Sequence, residues 1–143
     1  FFLGGKRMIQ IKTKDNEQDY RAVRIEVFMK EQGFQNEFDE QDEHSWHLVI
    51  YDYRTPIGCA RMFDEKGDIV FGRIAVIPEK RHKHLGSYIL HELEKKAREL
   101  GYPKAKLSAQ VSAMGFYEKN GFQAYGEEYL DEFCPHIHME KRL

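Results

Sequence analysis

Residues 74–87 read Ile-Ala-Val-Ile-Pro-Glu-Lys-Arg-His-Lys-His-Leu-Gly-Ser. An apolar strand breaks at Pro78, passes through a basic loop and runs straight into a helix pattern. The first N–H groups of a helix have no intrahelical partner and lie at the positive end of the helix dipole. Set behind Lys80, Arg81 and Lys83, such donors suit a phosphate or pyrophosphate.

Working outward, the strand over 69–77 is preceded by the turn Lys66-Gly67-Asp68 and by strand patterns over 57–63 and 46–51, with Arg54-Thr55-Pro56 between them. Turns this short join antiparallel strands, so these three form a meander. On the other side, Leu85, Ile89, Leu93 and Ala97 share one face of a helix that Gly101 closes and Pro103 keeps from continuing. A strand over 105–111 follows, which makes strand, helix and strand a parallel, right-handed crossover. In an open sheet a ligand sits at the carboxyl ends of such strands, where the basic loop lies. A strand over 8–13 and a helix capped by Asp15 or Asn16, with Tyr20, Val23, Arg24, Val27 and Phe28 in one stripe, open the chain. Gly33 ends that helix. A short helix over 113–119 and a strand over 137–141 close the chain. The expected class is α/β, a mixed and mainly antiparallel sheet flanked by helices.

The 143 residues, 41% hydrophobic and 13% aromatic, are enough for one domain with its own core, over residues 8–143. Residues 1–7, ahead of Met8, read as an appended or disordered lead-in. A net charge of −2 with interspersed bases argues against a nucleic-acid binder. No apolar run reaches membrane-spanning length and no secretory signal is visible. Cys59 and Cys134 lack metal-site spacing, and a reducing cytoplasm is the simpler setting.

The loop Arg81-His-Lys-His-Leu-Gly86 followed by Phe116-Tyr-Glu-Lys-Asn-Gly-Phe122 resembles the GNAT N-acetyltransferase superfamily. Arg24-Ile-Glu-Val-Phe28, Glu31-Gln32, the acidic run through Asp42, Gly72-Arg-Ile-Ala-Val76, Leu107-Ser-Ala-Gln110 and His136-Ile-His-Met139 are similar to its bacterial ElaA-like branch. The resemblance implies the GNAT acyl-CoA N-acyltransferase fold and acetyl-CoA as cosubstrate. It also implies that the backbone of Ile74, Ala75 and Val76 holds the pantetheine arm. Arg81, His82, Lys83, His84, Leu85, Gly86 and Ser87 would then form the pyrophosphate cradle. His82 and His84 stand where the family usually has glycine. A helical φ/ψ at His84 still permits the phosphate contact, and its imidazole could donate to phosphate.

Acetyl transfer needs a neutral amine, a donor for the oxyanion and an acid for the leaving thiolate. Tyr117 matches the family's acid, because a phenol stays protonated at neutral pH. Its other reading is an aromatic of the short helix stripe beside Phe116. For the base, His47, His136, His138 and Glu31 are candidates, each read first as an ordinary surface or hydrogen-bonded residue. His136 and His138 share a strand face, but two ligands do not make a metal site, so no metal is expected. The acids from Glu37 to Glu43 line a mouth for a cationic amine or form a solvated loop. Arg61 and Arg73, charges inside strand patterns, need partners or a substrate anion. The function expected is transfer of acetyl from acetyl-CoA to a small-molecule amine, in the cytoplasm, with a homodimer left open. A non-catalytic acyl-CoA-binding module on the same fold, or a peptide or protein N-acetyltransferase, are the competing readings.

Overall fold

The computed structural model describes residues 2–3, 7–82 and 84–143. Its strands are β1 Phe2–Leu3, β2 Arg7–Lys12, β3 Trp46–Asp52, β4 Thr55–Glu65, β5 Asp68–Val76, β6 Lys104–Gln110, β7 Gln123–Asp131 and β8 Cys134–Arg142. They form one sheet in the order β1-β2-β3-β4-β5-β6-β8-β7. Among the described residues only β5 and β6 run parallel, joined through helix α2, Leu85–Glu99, as the crossover argument requires. The reading of residues 1–7 as a lead-in falls partly outside the described residues; Phe2–Leu3 pairs with β2.

Period-two alternation sends β3 to both faces of the sheet. Leu48 and Ile50 join a core with Ile89, Leu90 and Leu93 of α2, while Val49 and Tyr51 pack with Tyr20 and Val23 of α1, Glu17–Arg24. Each of those helices therefore covers one face. Helix α1 runs on as a π-helical segment, Ile25–Glu31, in which the Gln32 N–H reaches the Val27 carbonyl at 3.1 Å. Gly33, at φ 84°, ends it. Asn16 precedes α1, but its side chain does not cap the helix. It is buried and donates instead to the His47 carbonyl at 3.0 Å, pinning the helix start to β3. Among the described residues no helix is long and apolar enough to cross a membrane.

Two irregularities shape the site. Between the Cys59–Ala75 and Arg61–Gly72 pairs β5 carries one residue more than β4, and Arg73 takes φ 52°. Such a bulge bends its strand. The Cys59 thiol, fully buried beneath it, donates to the Arg73 carbonyl at 3.4 Å. The second is in β7, an edge strand that the sequence pattern does not reveal. Its residues are mostly exposed and lack apolar alternation, and its register against β8 slips between Tyr125 and Tyr129, with Gly126 at φ 74°.

Candidate active site

Past its bulge β5 leaves its parallel neighbour. The pairs Ile69–Ala105, Val70–Lys106 and Phe71–Leu107 are followed by none, so one edge of Gly72–Val76 has no strand partner among the described residues. A cleft of about 510 Å³ opens there, between that edge and the ends of β6 and β8. Tyr117, from helix α3, Met114–Lys119, reaches it from the α2 side of the sheet, its ring set edge-on against Phe116 and Phe122. Burial pushes the Tyr117 phenol up to about 12, so it carries its proton across the physiological range. On the α1 side the cleft meets Val27, Phe28, Phe34, Gln110 and His136.

A second hollow, about 570 Å³, lies at the start of α2 and shares Val76 and Arg81 with the first. His84 stands at the helix N-cap without a side-chain cap bond, and its carbonyl takes the Tyr88 N–H at 3.1 Å. The N–H groups of Leu85, Gly86 and Ser87, one turn earlier, have no intrahelical acceptor and border this hollow. His82 and His84 both adopt left-handed backbone, φ 64° and 59°, so His84 does not take the right-handed helical φ/ψ that would also permit the phosphate contact. The loop keeps the geometry that glycine adopts freely, at a strain of about 1 kcal/mol for each histidine. Gly86 lets Phe116 pack close, since a Cβ there would meet Phe116 Cζ at 3.3 Å and the ring would have to give by a few tenths of an ångström.

The basic run before α2 is differently engaged than its sequence suggests. Lys80 pairs with Asp52 at 2.8 Å. Arg81 donates from Nε to the Val76 carbonyl at 3.0 Å and forks onto Glu31 at 2.6 and 2.5 Å. That fork holds the Glu31 carboxyl below its ordinary value. Lys83 lies outside the described residues. The cation bordering the hollow without an ion pair among the described residues is Lys119, which the sequence reading passed over although it stands two residues after Tyr117.

Within the acidic run Glu40 and Glu43 are exposed, whereas Glu37, Asp39 and Asp42 are neither solvated freely nor an unpaired anionic mouth. Arg24, almost wholly buried, donates to Glu37 at 2.8 Å and to Asp42 at 2.6 Å. Arg61 donates to Asp39 at 2.6 Å and Asp42 at 2.9 Å, and Arg73 meets Glu37 at 2.9 Å. Three guanidiniums and three carboxylates thus neutralise one another, as buried charges must. Burial alone would raise Asp42, but Arg24 and Arg61 bring its carboxyl down to about 2. For Glu37 burial outweighs its arginines and leaves the carboxyl raised.

Of the base candidates, His47 is buried away from the cleft, stacked on Tyr20 at 3.8 Å with Nε2 at 2.8 Å from the Asp42 carbonyl. His138 stacks on Tyr125 and Tyr129. Glu31 is held by Arg81. His136 alone of the three histidines lines the cleft.

The family model for the acetyltransferase (GNAT) domain matches residues 16–143. YjcF of Bacillus subtilis, described as an uncharacterized N-acetyltransferase, is 37% identical over 133 residues, covering 91% of this chain and 95% of the relative. An acyl-CoA N-acyltransferase structure from Pseudomonas aeruginosa aligns with a TM-score of 0.87 at 26% identity, over 94% of this chain and 99% of that one. ElaA of Escherichia coli, at 22% identity, shares the fold with a TM-score of 0.84 over 94% of this chain and 99% of its own. With the split between parallel strands, the loop at the helix start and a family match over nearly the whole length, this chain belongs to the GNAT acetyltransferase family.

Proposed function

We propose that the protein transfers acetyl from acetyl-CoA to a primary amine of a small molecule, both bound at once in the split of the sheet. The observation that carries this is the unpaired edge of Gly72–Val76, with a hollow at each side meeting at Val76 and Arg81. Ile74, Ala75 and Val76 offer backbone N–H and C=O groups to an amide-bearing pantetheine arm, as one strand offers them to another. The N–H groups of Leu85, Gly86 and Ser87, with Lys119, suit the pyrophosphate. Arg81 braces Val76 and the loop rather than presenting a free charge.

Two features favour a small cationic acceptor. Glu132, in the β7–β8 turn, accepts the Gln35 and Asn36 N–H groups at 3.1 and 3.0 Å and so ties that turn to the loop opposite. On the cleft Glu37 and Asp39 are neutralised by Arg24, Arg61 and Arg73, and Arg81 by Glu31, which leaves Asp131 and Glu132 as an excess of carboxylate. A long peptide fits a tied rim poorly.

Tyr117 is assigned the proton for the leaving thiolate. The phenol keeps its proton across the physiological range and lines the cleft, so it can give that proton to the departing sulfur. Tyr117→Phe deletes one hydroxyl and keeps the ring contacts. Turnover with a fixed amine should fall roughly 10²–10⁴-fold while acetyl-CoA affinity holds. Nearly full kcat would return Tyr117 to a packing role. Acetyl-CoA binding without turnover on any amine by the unaltered protein would favour a non-catalytic acyl-CoA module.

A further inference from the structure

The proton lost by the amine needs a taker on the opposite side of the sheet from Tyr117. Tyr117 approaches with Phe116 and Phe122, from the core beneath α2. The nucleophile must approach the carbonyl carbon from elsewhere than the leaving sulfur, and the remaining opening is on the α1 face. Gln110 marks that face, donating to Gln32 beyond the π-helical segment at 2.8 Å. In the β6–β8 ladder Gln110 is paired with His136, and directly opposed residues of an antiparallel pair project to the same face.

We infer that His136 is the general base of the acetyl transfer, its Nε2 taking the proton of the attacking amine. The assignment rests on the acetyl-transfer reading above. His136 is buried yet lines the cleft. Its Nδ1 lies 2.9 Å from the Cys134 carbonyl, which can only accept, so Nδ1 carries the proton and Nε2 keeps its lone pair. Phe34 and Tyr129 hold the ring, at 6.4 and 6.0 Å between centroids. The imidazole therefore has one tautomer, one orientation and one open nitrogen. Of the carboxylates on the cleft, Glu37 holds Arg24 and Arg73, Asp39 holds Arg61 and Glu132 takes the Gln35 and Asn36 N–H groups, while Asp131 is exposed at the end of β7. The bound ammonium gives a proton to Nε2, and the freed lone pair of the amine attacks the carbonyl carbon. As the C–S bond breaks, the electron pair leaves on sulfur, which takes the Tyr117 proton, and the proton still carried by the acylated nitrogen restores the phenol.

The test uses acceptors that differ in need for a base. An alkylamine is an ammonium ion at neutral pH and must be deprotonated, whereas an aromatic amine is already neutral. His136→Asn keeps a donor for the Cys134 carbonyl and removes the nitrogen at Nε2. His136→Gln, the second variant, puts an amide near Nε2 that cannot take the proton. Each should lower kcat for an alkylamine roughly 10²–10⁴-fold, leave the aromatic amine within a few-fold and leave acetyl-CoA binding unchanged. Equal losses with both acceptors would make His136 a wall of the cleft, and no loss with either would place the base elsewhere; both overturn the assignment. Wild-type protein that binds acetyl-CoA and acetylates neither amine would withdraw the transfer reading itself, and the assignment with it.

Discussion

Lys119 and Arg81 carry the same charge beside the same hollow, and their surroundings give them different work. Arg81 is neutralised by Glu31 and fixed to the Val76 carbonyl, whereas Lys119 is exposed on α3 with no ion pair among the described residues. Lys119→Ala should weaken CoA binding roughly two- to fivefold and flatten its dependence on salt. Arg81→Ala should leave the salt dependence nearly unaltered. Titrations of both variants at two ionic strengths decide this; a salt response lost only with Arg81 would reverse the roles. At this scale the sequence was readable where a residue's surroundings are local. The Leu85-Gly86 start of α2 and the placing of Tyr117 after β6 follow from fixed spacing. The partners of Arg81 and Arg24 were not readable, because Glu31 lies 50 residues from Arg81 and Asp42 lies 18 from Arg24, and only the fold brings them together.

The segment between the π-helical turn and β3 is held by buried Phe34 at its start and by charge beyond it. Its short 3-10 turn, Glu40–His44, is closed by a capping box between Asp39 and Asp42, and both carboxylates also take guanidinium donors. Folding lowers the Asp42 carboxyl to about 2 from its ordinary value of 3.8. A depressed acid stabilises the fold fully above its unfolded pKa and loses that contribution as pH falls through the folded one. Wild-type stability should therefore fall between about pH 4 and pH 2, with Asp42 supplying on the order of 2 kcal/mol. Asp42→Asn should be less stable at neutral pH and lack that part of the acid limb. Denaturant melts of both proteins across this range measure it; parallel curves would deny Asp42 the role. Strong elements such as α2 and β3–β5 were legible from periodicity. Strand β7 was not, because an edge strand exposed on both faces has no apolar alternation to display, and its bulge breaks the register that would suggest one.

As a whole, the molecule is two sheet halves, β1–β5 and β6–β8, joined along the sheet by three residue pairs and over it by α2. Bonds between Gln110 and Gln32 and between Glu132 and residues Gln35 and Asn36 span the gap. The crossover and the ligand position at its strand ends followed from chain order, while the width of the opening depends on a left-handed Arg73 that no sequence pattern announces. Beneath that residue lies Cys59, with no exposed surface and a thiol that burial pushes up to about 12. A thiol so placed is inert until the centre of the sheet comes apart. Cys134, half-exposed beside the β7–β8 turn, offers an internal reference. Disulfide reagent should modify Cys134 promptly and Cys59 only at the rate of opening, and acetyl-CoA, whose sulfur is held in the thioester, should slow the second reaction without touching the first. Equal rates for the two cysteines would mean that the halves already part freely. The bulge thus leaves the protein with a built-in chemical stopwatch, one that times the opening of its own substrate split.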